Sequence, residues 1–301
     1  MLLAAILIGF SFSSMVDGAS RADADALLLA GRYRDAALAY LSLLRISPDD
    51  PDLLDGAGRS MMGLAAPERA IPYFERETVL QPLRWEASQW LSEAYMAAGR
   101  FQDAQQLLTR MTTDDPSDGR LWSQLGILFY RTGYYAAAVE ALDRALAVDK
   151  GLDAPAERNR GEVFRAIALV ESGASAEAAK VVPALLARPE NGGRLDLLLI
   201  DVRLLYETGD YAAAMRQSDR ALAAAPQNAA VHFWRALLFQ QSGETARAIS
   251  EAEHARDLDA ASPAPRGLLV RLYRRTGRED DAAREAAWLR MHESAGGPGR
   301  P

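Results

Sequence analysis

Small and turn-forming residues recur along the chain with a period of about 34 residues. Alanine occupies positions 36, 70, 104, 138, 178, 214, 248 and 282, with gaps of 34, 34, 34, 40, 36, 34 and 34 residues. Five residues before this alanine stands a glycine in seven of the eight copies, and Ala65 in the other. A period of this length is typical of a repeat architecture in which each unit buries its apolar face against its neighbours.

Each copy reads as a pair of antiparallel helices. The glycine can adopt the positive φ that ends a first helix, and the alanine lets the second helix approach the first closely. A proline closes several copies, at Pro48, Pro82, Pro116 and Pro226, where the chain must turn and no helical amide is needed. The pattern therefore predicts an all-α protein built from helical hairpins.

The copy from 119 to 152 carries the fullest set of repeated positions: Trp122, Leu125, Gly126, Phe129, Gly133, Tyr135, Ala138, Leu142 and Ala145. With this set the chain resembles the tetratricopeptide repeat (TPR) family. The resemblance implies a right-handed superhelical α-solenoid whose concave wall is lined by the first helix of each hairpin. One solenoid domain is predicted over 21–296, with copies at 17–50, 51–84, 85–118, 119–152, 159–192, 195–228, 229–262 and 263–296, followed by a disordered tail at 297–301.

Two irregularities interrupt the period. Six extra residues at 153–158 are interpreted as a longer linker, which is either a hinge or projecting loop, or a tolerated insertion. In the copy that follows, Pro183 falls inside the second helix and is expected to kink or shorten it.

The first 20 residues differ from the repeats. Residues 1–10 are uninterruptedly apolar and 11–20 are small and polar, although no basic residue precedes the apolar run. Ten apolar residues are too few to span a bilayer as a helix, which takes about 20, but match the core of a signal peptide. Export to a periplasm or to the cell exterior is predicted; the alternatives are a membrane tether through 1–16, or a buried or capping helix in a cytoplasmic protein.

Composition narrows the function. The net charge of −7 is concentrated in residues 17–118, which contain 17 acidic residues and 10 arginines. An acidic surface of this kind disfavours the binding of nucleic acid, whose phosphates it repels. No cysteine is present, the three histidines are scattered, and no phosphate-binding loop, zinc helix or serine elbow occurs. No enzyme, cofactor or metal is therefore predicted. Two lysines against 32 arginines, with abundant alanine, are typical of a GC-rich bacterial genome.

The repeat register assigns a set of residues to the concave wall as partner-binding candidates: Trp90, Glu93, Tyr130, Arg131, Phe164, Ile167, Arg203, Tyr206, Phe233, Arg271 and Arg274. The same register also turns to that wall Asp52, Asp55, Arg59, Met62, Glu86, Gln89, Met96, Ser123, Gln124, Ile127, Val163, Leu199, Ile200, Trp234, Leu237, Gln240 and Arg275. Apolar clusters on a solvent-facing wall mark binding surfaces, and aromatic residues and arginine often anchor interfaces. The alternative is that a shift of one residue in register would place several of them in the core.

These features predict a non-catalytic scaffold that holds a protein or peptide partner in envelope assembly or secretion. The carboxylate clamp of some family members is missing, because acids, Gln89 and Trp90 occupy its positions. An extended or helical peptide held by apolar anchors is expected instead, with the arginines from 271 to 275 either binding its acidic end or forming an exposed helix face. Two other functions are a regulatory or substrate-guiding subunit of an enzyme on a separate chain, and self-association through Trp288 and Leu289.

Overall fold

The computed structural model describes residues 20–82, 84–148, 151–152 and 154–293. Sixteen helices and no strand occur in this part of the chain. They are α1 Arg21–Leu29, α2 Tyr33–Leu44, α3 Pro51–Gly63, α4 Pro67–Leu80, α5 Trp85–Ala97, α6 Phe101–Asp114, α7 Gly119–Arg131, α8 Tyr135–Ala147, α9 Pro155–Glu171, α10 Ser175–Leu186, α11 Leu195–Glu207, α12 Tyr211–Ala224, α13 Ala229–Gln241, α14 Thr245–Leu258, α15 Pro263–Arg275 and α16 Glu279–Glu293.

From α1 to α8 and from α11 to α16, each odd-numbered helix packs against the next even-numbered one as a hairpin, and within these two runs neighbouring hairpins stack. The chain divides into two compact units, Met1–Arg165 and Ala166–Pro301, with the division inside α9. The first unit contains α1 to α8 and most of α9, and the second contains the end of α9 and α10 to α16. The prediction of an all-α array of antiparallel helical hairpins is confirmed over the described residues.

The turn inside each hairpin has the conformation that its glycine predicts. The seven glycines have φ between +70° and +86°, and Ala65, at the same place in the second hairpin, has a φ of +53°. At Gly133 the chain closes the first helix with two reverse bonds: Gly133 N donates to Tyr130 O at 3.1 Å, and Tyr134 N donates to Phe129 O at 2.9 Å. This arrangement satisfies carbonyls that the end of a helix otherwise leaves without a partner.

Small residues make the close helix packing possible. Seven of the eight recurring alanines are fully buried, and Ala282 is 1% exposed. A Cβ atom at Gly58 would lie 2.5 Å from the ring of Phe74, and one at Gly126 would lie 2.5 Å from Leu142 Cγ. Distances this short cannot be accommodated without movement, so these two glycines are required by the packing of α3 on α4 and of α7 on α8.

The interpretation of 153–158 as a linker is wrong for residues 155–158. These residues form the first turn of α9, which begins at Pro155 and extends for 17 residues. Proline is accepted in a first turn because the N–H that it lacks would have no helical acceptor there. Most of the insertion therefore lengthens a helix. The other irregular proline, Pro183, lies within α10, whose 12 residues match the length of α2.

The described part of the chain begins at Ser20, which caps α1. Its hydroxyl accepts a hydrogen bond from Asp23 N, and the Asp23 carboxylate accepts one from Ser20 N. The predicted signal segment up to residue 19, the tether at 1–16 and the tail at 297–301 lie outside the described residues. None of the described helices combines the length and the apolar character needed to cross a bilayer.

Candidate functional site

A cavity of about 420 Å³ opens on the first unit between the first helices of successive hairpins. The helices α3, α5, α7 and α9 supply its lining, which combines apolar residues with polar and charged ones. The lining residues are Met62, Glu93, Met96, Ala97, Gln124, Ile127, Arg131, Arg160 and Phe164. Three of the partner-binding candidates, Glu93, Arg131 and Phe164, thus come together around one cavity, and four other residues assigned to the wall join them: Met62, Met96, Gln124 and Ile127.

Aromatic contacts hold one side of this cavity. The ring of Tyr130 meets the ring of Phe164 edge-on, with centroids 5.6 Å apart, and lies 5.8 Å from Tyr135. Edge-to-face pairs at this separation are favourable beyond the apolar area that they bury. Tyr130 is half-buried and supports Phe164 from α7, so it positions the lining although it does not belong to it.

The polar residues around the cavity are differently constrained. Glu93 accepts a hydrogen bond from Gln89 Nε2 at 3.2 Å, and Gln124 Oε1 accepts one from Ser92 Oγ at 3.3 Å. The exposed guanidinium of Arg131 has Met96 Sδ as a neighbour, 3.5 Å from its Nη1. In the described part of the chain no carboxylate pairs with Arg131, which leaves its charge available to an incoming group.

Trp90, a predicted wall residue, is not part of the cavity lining. Its ring stacks on Phe74 of α4, with centroids 6.3 Å apart, and the guanidinium of Arg59 lies 5.5 Å from its centroid. Trp90 therefore packs against the core where the second hairpin meets the third.

Several of the other residues that the register assigned to the wall are buried. Val163 is fully buried, Ser123 is 5% exposed and Asp55 is 9% exposed. Each lies on a first helix but is shielded from solvent and does not line the cavity, so its assignment to the solvent-facing wall is wrong. The side chains of a helix that packs on both flanks leave only a narrow strip open to solvent.

Arg160 lines the cavity although the sequence reasoning missed it. It stands at the second position of its copy, where Asp52 and Glu86 stand in theirs, and both of those were assigned to the wall. Applying the same register to the fifth copy would have found it. The supposed linker before residue 159 obscured this, since Arg160 lies inside α9 rather than at its start.

The second unit carries an aromatic cluster of its own. The ring of Tyr206 lies 5.7 Å from Trp234 and 5.4 Å from Tyr211, and its hydroxyl accepts a hydrogen bond from Gln241 Nε2 at 2.7 Å. Phe233 lies 6.2 Å from Trp234 and packs against the core of the last two hairpins. Tyr206, Phe233 and Trp234 are half-buried, so part of each ring faces solvent.

The remaining candidates of the second unit are separate from this cluster in their contacts. Arg203 is held by Glu207 at 2.9 Å and by Glu171 at 3.4 Å, and Ile167 is half-buried on α9. Arg271 and Arg274 are exposed on α15, with no ion pair to a described carboxylate. These two arginines therefore present unneutralised positive charge.

The predicted self-association surface on α16 is partly covered by its own chain. The Trp288 ring stacks on His292 with centroids 3.7 Å apart, and the guanidinium of Arg266 lies 4.1 Å from its centroid. Trp288 and Leu289 are both half-buried. Among the described residues, no group of three or more histidines and carboxylates is arranged to hold a metal ion.

Sequence models of the tetratricopeptide repeat match residues 62–125, 95–160 and 201–265, which together span more than half of the chain. The chain belongs to the tetratricopeptide repeat family. The TPR fold generally serves as a non-catalytic scaffold for protein–protein interactions. No curated protein matches the chain.

Solved structures share this TPR fold at low sequence identity. A tetratricopeptide repeat protein from Parabacteroides merdae is 16% identical with a TM-score of 0.60, over 87% of this chain and 98% of that one. PilF from Pseudomonas aeruginosa is 18% identical with a TM-score of 0.62, over 72% and 95% of the two chains. A chain of the APC/C hetero-tetramer Cut9–Hcn1 is 15% identical with a TM-score of 0.63, over 83% of this chain and 48% of that one.

Proposed function

We propose that the chain is a non-catalytic scaffold that binds a peptide segment of a partner protein through the cavity of the first unit. The observation that carries this proposal is the lining, in which Met62, Met96, Ile127 and Phe164 surround an open apolar space. A soluble protein gains nothing from leaving such a space to water, whereas an apolar side chain of a partner would be desolvated there.

The charged residues of the lining define the partner further. Two arginines, Arg131 and Arg160, line the cavity together with one carboxylate, Glu93. We expect a peptide with an apolar anchor, flanked by a carboxylate toward the arginines. Arginine binds carboxylates through paired N–H groups, which fixes the direction of a bound chain as well as adding affinity.

The test uses a displayed library of random peptides selected on the folded protein. One enriched peptide is then titrated calorimetrically into the wild type, into Phe164→Arg, and into Val79→Arg as the matched control. Val79 is 72% exposed and lies outside the cavity lining, so the control adds the same charge to an exposed apolar position. We expect Phe164→Arg to raise Kd by roughly 30-fold or more, the loss typical of one interface anchor, and Val79→Arg to leave it unchanged.

Equal loss in the two variants would contradict the proposal, as would selected peptides that bind Phe164→Arg as tightly as the wild type while its circular dichroism remains helical. Photo-crosslinking from position 131 in cells of the source organism then identifies the natural partner. An enzyme subunit recovered there would instead favour the regulatory or substrate-guiding role.

We also propose that the scaffold acts in a bacterial envelope, on the basis of the apolar residues 1–10 and the small residues after them. Cell fractionation with mass spectrometry of the isolated chain tests this location. A periplasmic chain that starts near residue 19 or 21 would agree with it, and a cytoplasmic chain starting at Met1 would refute it.

A further inference from the structure

Glu77 of α4 stands at a position that is apolar in every other copy. It lies seven residues after the recurring alanine, where the other copies have Leu43, Met111, Ala145, Leu185, Ala221, Ala255 and Leu289. The side chain of Glu77 is fully buried. The second hairpin therefore places an ionisable group in the layer that the rest of the array fills with hydrocarbon.

The Glu77 carboxylate is poorly satisfied where it lies. Among the described residues, neither of its oxygens has a hydrogen-bond partner, and its one close cation is Arg84, with Nη1 3.2 Å from Oε1. The same Nη1 lies 3.0 Å from Asp52 Oδ1. One guanidinium is thus shared by two carboxylates, of which Asp52 also has Arg21 at 2.8 Å, while no second cation in the described ranges pairs with Glu77.

Arg84 supplies the positive charge that opposes Glu77. It is the residue before α5, and it makes no side-chain cap there. In three other hairpins the corresponding residue, Asp50, Asp118 or Asn228, caps the helix with its side chain, whereas Arg194 and Ser262 make no such cap before α11 and α15. The third hairpin lacks this cap, which is usually worth about 1 kcal/mol, and its arginine is instead the one cation of the described residues that pairs with Glu77.

Acidic groups face Glu77 from both of the helices packed against α4. Asp52 and Asp55 face it from α3, and Glu86 faces it from α5, where Arg84 is the opposing cation. Burial first, and then the charge of Asp55, raise the pKa of Glu77 to about 7.

We propose that Glu77 is a proton-binding site that controls the packing of α3, α4 and α5 on one another. The protonated side chain is neutral and suits the buried layer. The ionised side chain must compete with Asp52 for Arg84 and repels Asp55. The interface of α3, α4 and α5, which forms the joint between the second and third hairpins, then becomes less tightly packed. Because α3 and α5 also supply Met62, Glu93 and Met96 to the cavity, the same joint sets the shape of that end of it.

The sign of the pH dependence follows from linkage. The folded protein holds the Glu77 proton up to a pH near 7, whereas an opened or unfolded chain releases it near pH 4.5. The folded joint therefore binds more protons between these limits, and its stability falls as the pH rises through this window and levels off above it. From pH 5 to pH 8 the equilibrium constant for opening the joint should increase roughly 70-fold.

The first experiment measures the protonation directly in the full chain. Carboxyl ¹³C NMR follows the Glu77 resonance, assigned by its loss in Glu77→Gln, and we expect a midpoint near pH 7. In parallel, hydrogen exchange of α3, α4 and α5 is measured from pH 5 to pH 8 and corrected for the intrinsic exchange rate. Exposed Glu68, on the same helix, gives the matched control Glu68→Gln, which should retain the wild-type pH dependence.

A spectroscopic reporter already lies at the joint. Trp90 on α5 stacks on Phe74 of α4, so the ¹⁹F signal of 5-fluorotryptophan at position 90, assigned by Trp90→Phe, reports the contact between the two helices. Its shift should titrate with the Glu77 midpoint in the wild type and in Glu68→Gln. It should not titrate over this range in Glu77→Gln or in Glu77→Leu, the residue that three other copies carry.

A Glu77 midpoint near pH 4.5 would overturn the proposal. So would a midpoint near 7 without pH-dependent exchange in α3 to α5, or a pH dependence that persists in Glu77→Gln. If Glu77→Leu does not fold, the isosteric Glu77→Gln and the wild-type titrations decide the question alone. None of these readouts involves a bound peptide, so this proposal and the binding proposal fail independently.

Discussion

Replacing Ala65 with glycine should stabilise the protein. Ala65 occupies the turn between α3 and α4 with a φ of +53°, the conformation that glycine adopts in the other seven hairpins. A residue with a Cβ atom is destabilised by about 1–2 kcal/mol in this region. Glycine removes that strain but gives the unfolded chain more conformational freedom, which lowers the free energy of unfolding by about 0.4–1 kcal/mol. The difference predicts a net stabilisation of about 0.5–1 kcal/mol.

The matched variant is Gly99→Ala in the next hairpin. Gly99 has a φ of +73°, and a Cβ atom there would meet nothing within 4 Å, so only the backbone conformation is perturbed. We expect Gly99→Ala to destabilise the protein by about 0.5–1 kcal/mol, the reverse of Ala65→Gly.

Urea denaturation followed by circular dichroism measures the global effect of each variant. Hydrogen exchange of α3 to α6 shows whether the change stays at the mutated hairpin, as it should in an array whose units contact mainly their neighbours. A neutral or destabilising Ala65→Gly, beside a Gly99→Ala that destabilises as expected, would refute the claim that the turn conformation strains Ala65.

Two further predictions concern packing and hydrogen bonding. Gly126→Ala should destabilise the first unit by about 1–3 kcal/mol in urea denaturation, because the new methyl group would lie 2.5 Å from Leu142 Cγ, and an unchanged midpoint would contradict the tight packing of α7 on α8. Tyr273→Phe should cost about 1–2 kcal/mol by removing the 2.6 Å hydrogen bond from the buried tyrosine to Glu253, and Glu253→Gln should cost less, since an amide oxygen still accepts that bond.

The repeat period made the fold predictable from the sequence. It located every hairpin turn, including the one at Ala65 where the expected glycine is missing, because the turn is defined by its distance from the buried alanine as well as by residue type. The start of α9 was not predicted, because the spacing of the repeats gives no guidance there. The interval around Pro155 departs from the period, and a proline alone does not distinguish a linker from the first turn of a helix.

The candidate site was less predictable, because the wall is a narrow strip and neighbouring positions of one helix point in different directions. Phe164 lines the cavity, but the adjacent Val163 is fully buried. Trp90 illustrates a second difficulty. Its position alone does not reveal that Phe74, on another helix, offers the stacking partner that holds it in the joint. Whether a residue of the wall faces solvent or packs in the core depends on the sizes of side chains far apart in the sequence.

Comparing the copies within the chain shows where individual joints are specialised. Tyr273 of α15 donates to Glu253 of the preceding hairpin, the guanidinium of Arg278 lies 4.3 Å from its ring, and Arg278 pairs with Asp281. The same four positions of the third hairpin and its predecessor carry the same four residue types with the same contacts: Tyr95, Glu75, Arg100 and Asp103. One set lies in each compact unit, so the arrangement follows the repeat position rather than the unit. The fourth hairpin has Phe129 at the tyrosine position and lacks the bond.

A joint is therefore defined by a few residues that the period itself does not require, as the Glu77–Arg84 pair also is. Glu77→Leu, which introduces the residue found at the same repeat position in Leu43 and Leu185, should accordingly change the joint of α3, α4 and α5. The contacts of Tyr273 with Glu253 and Arg278 should stay unchanged.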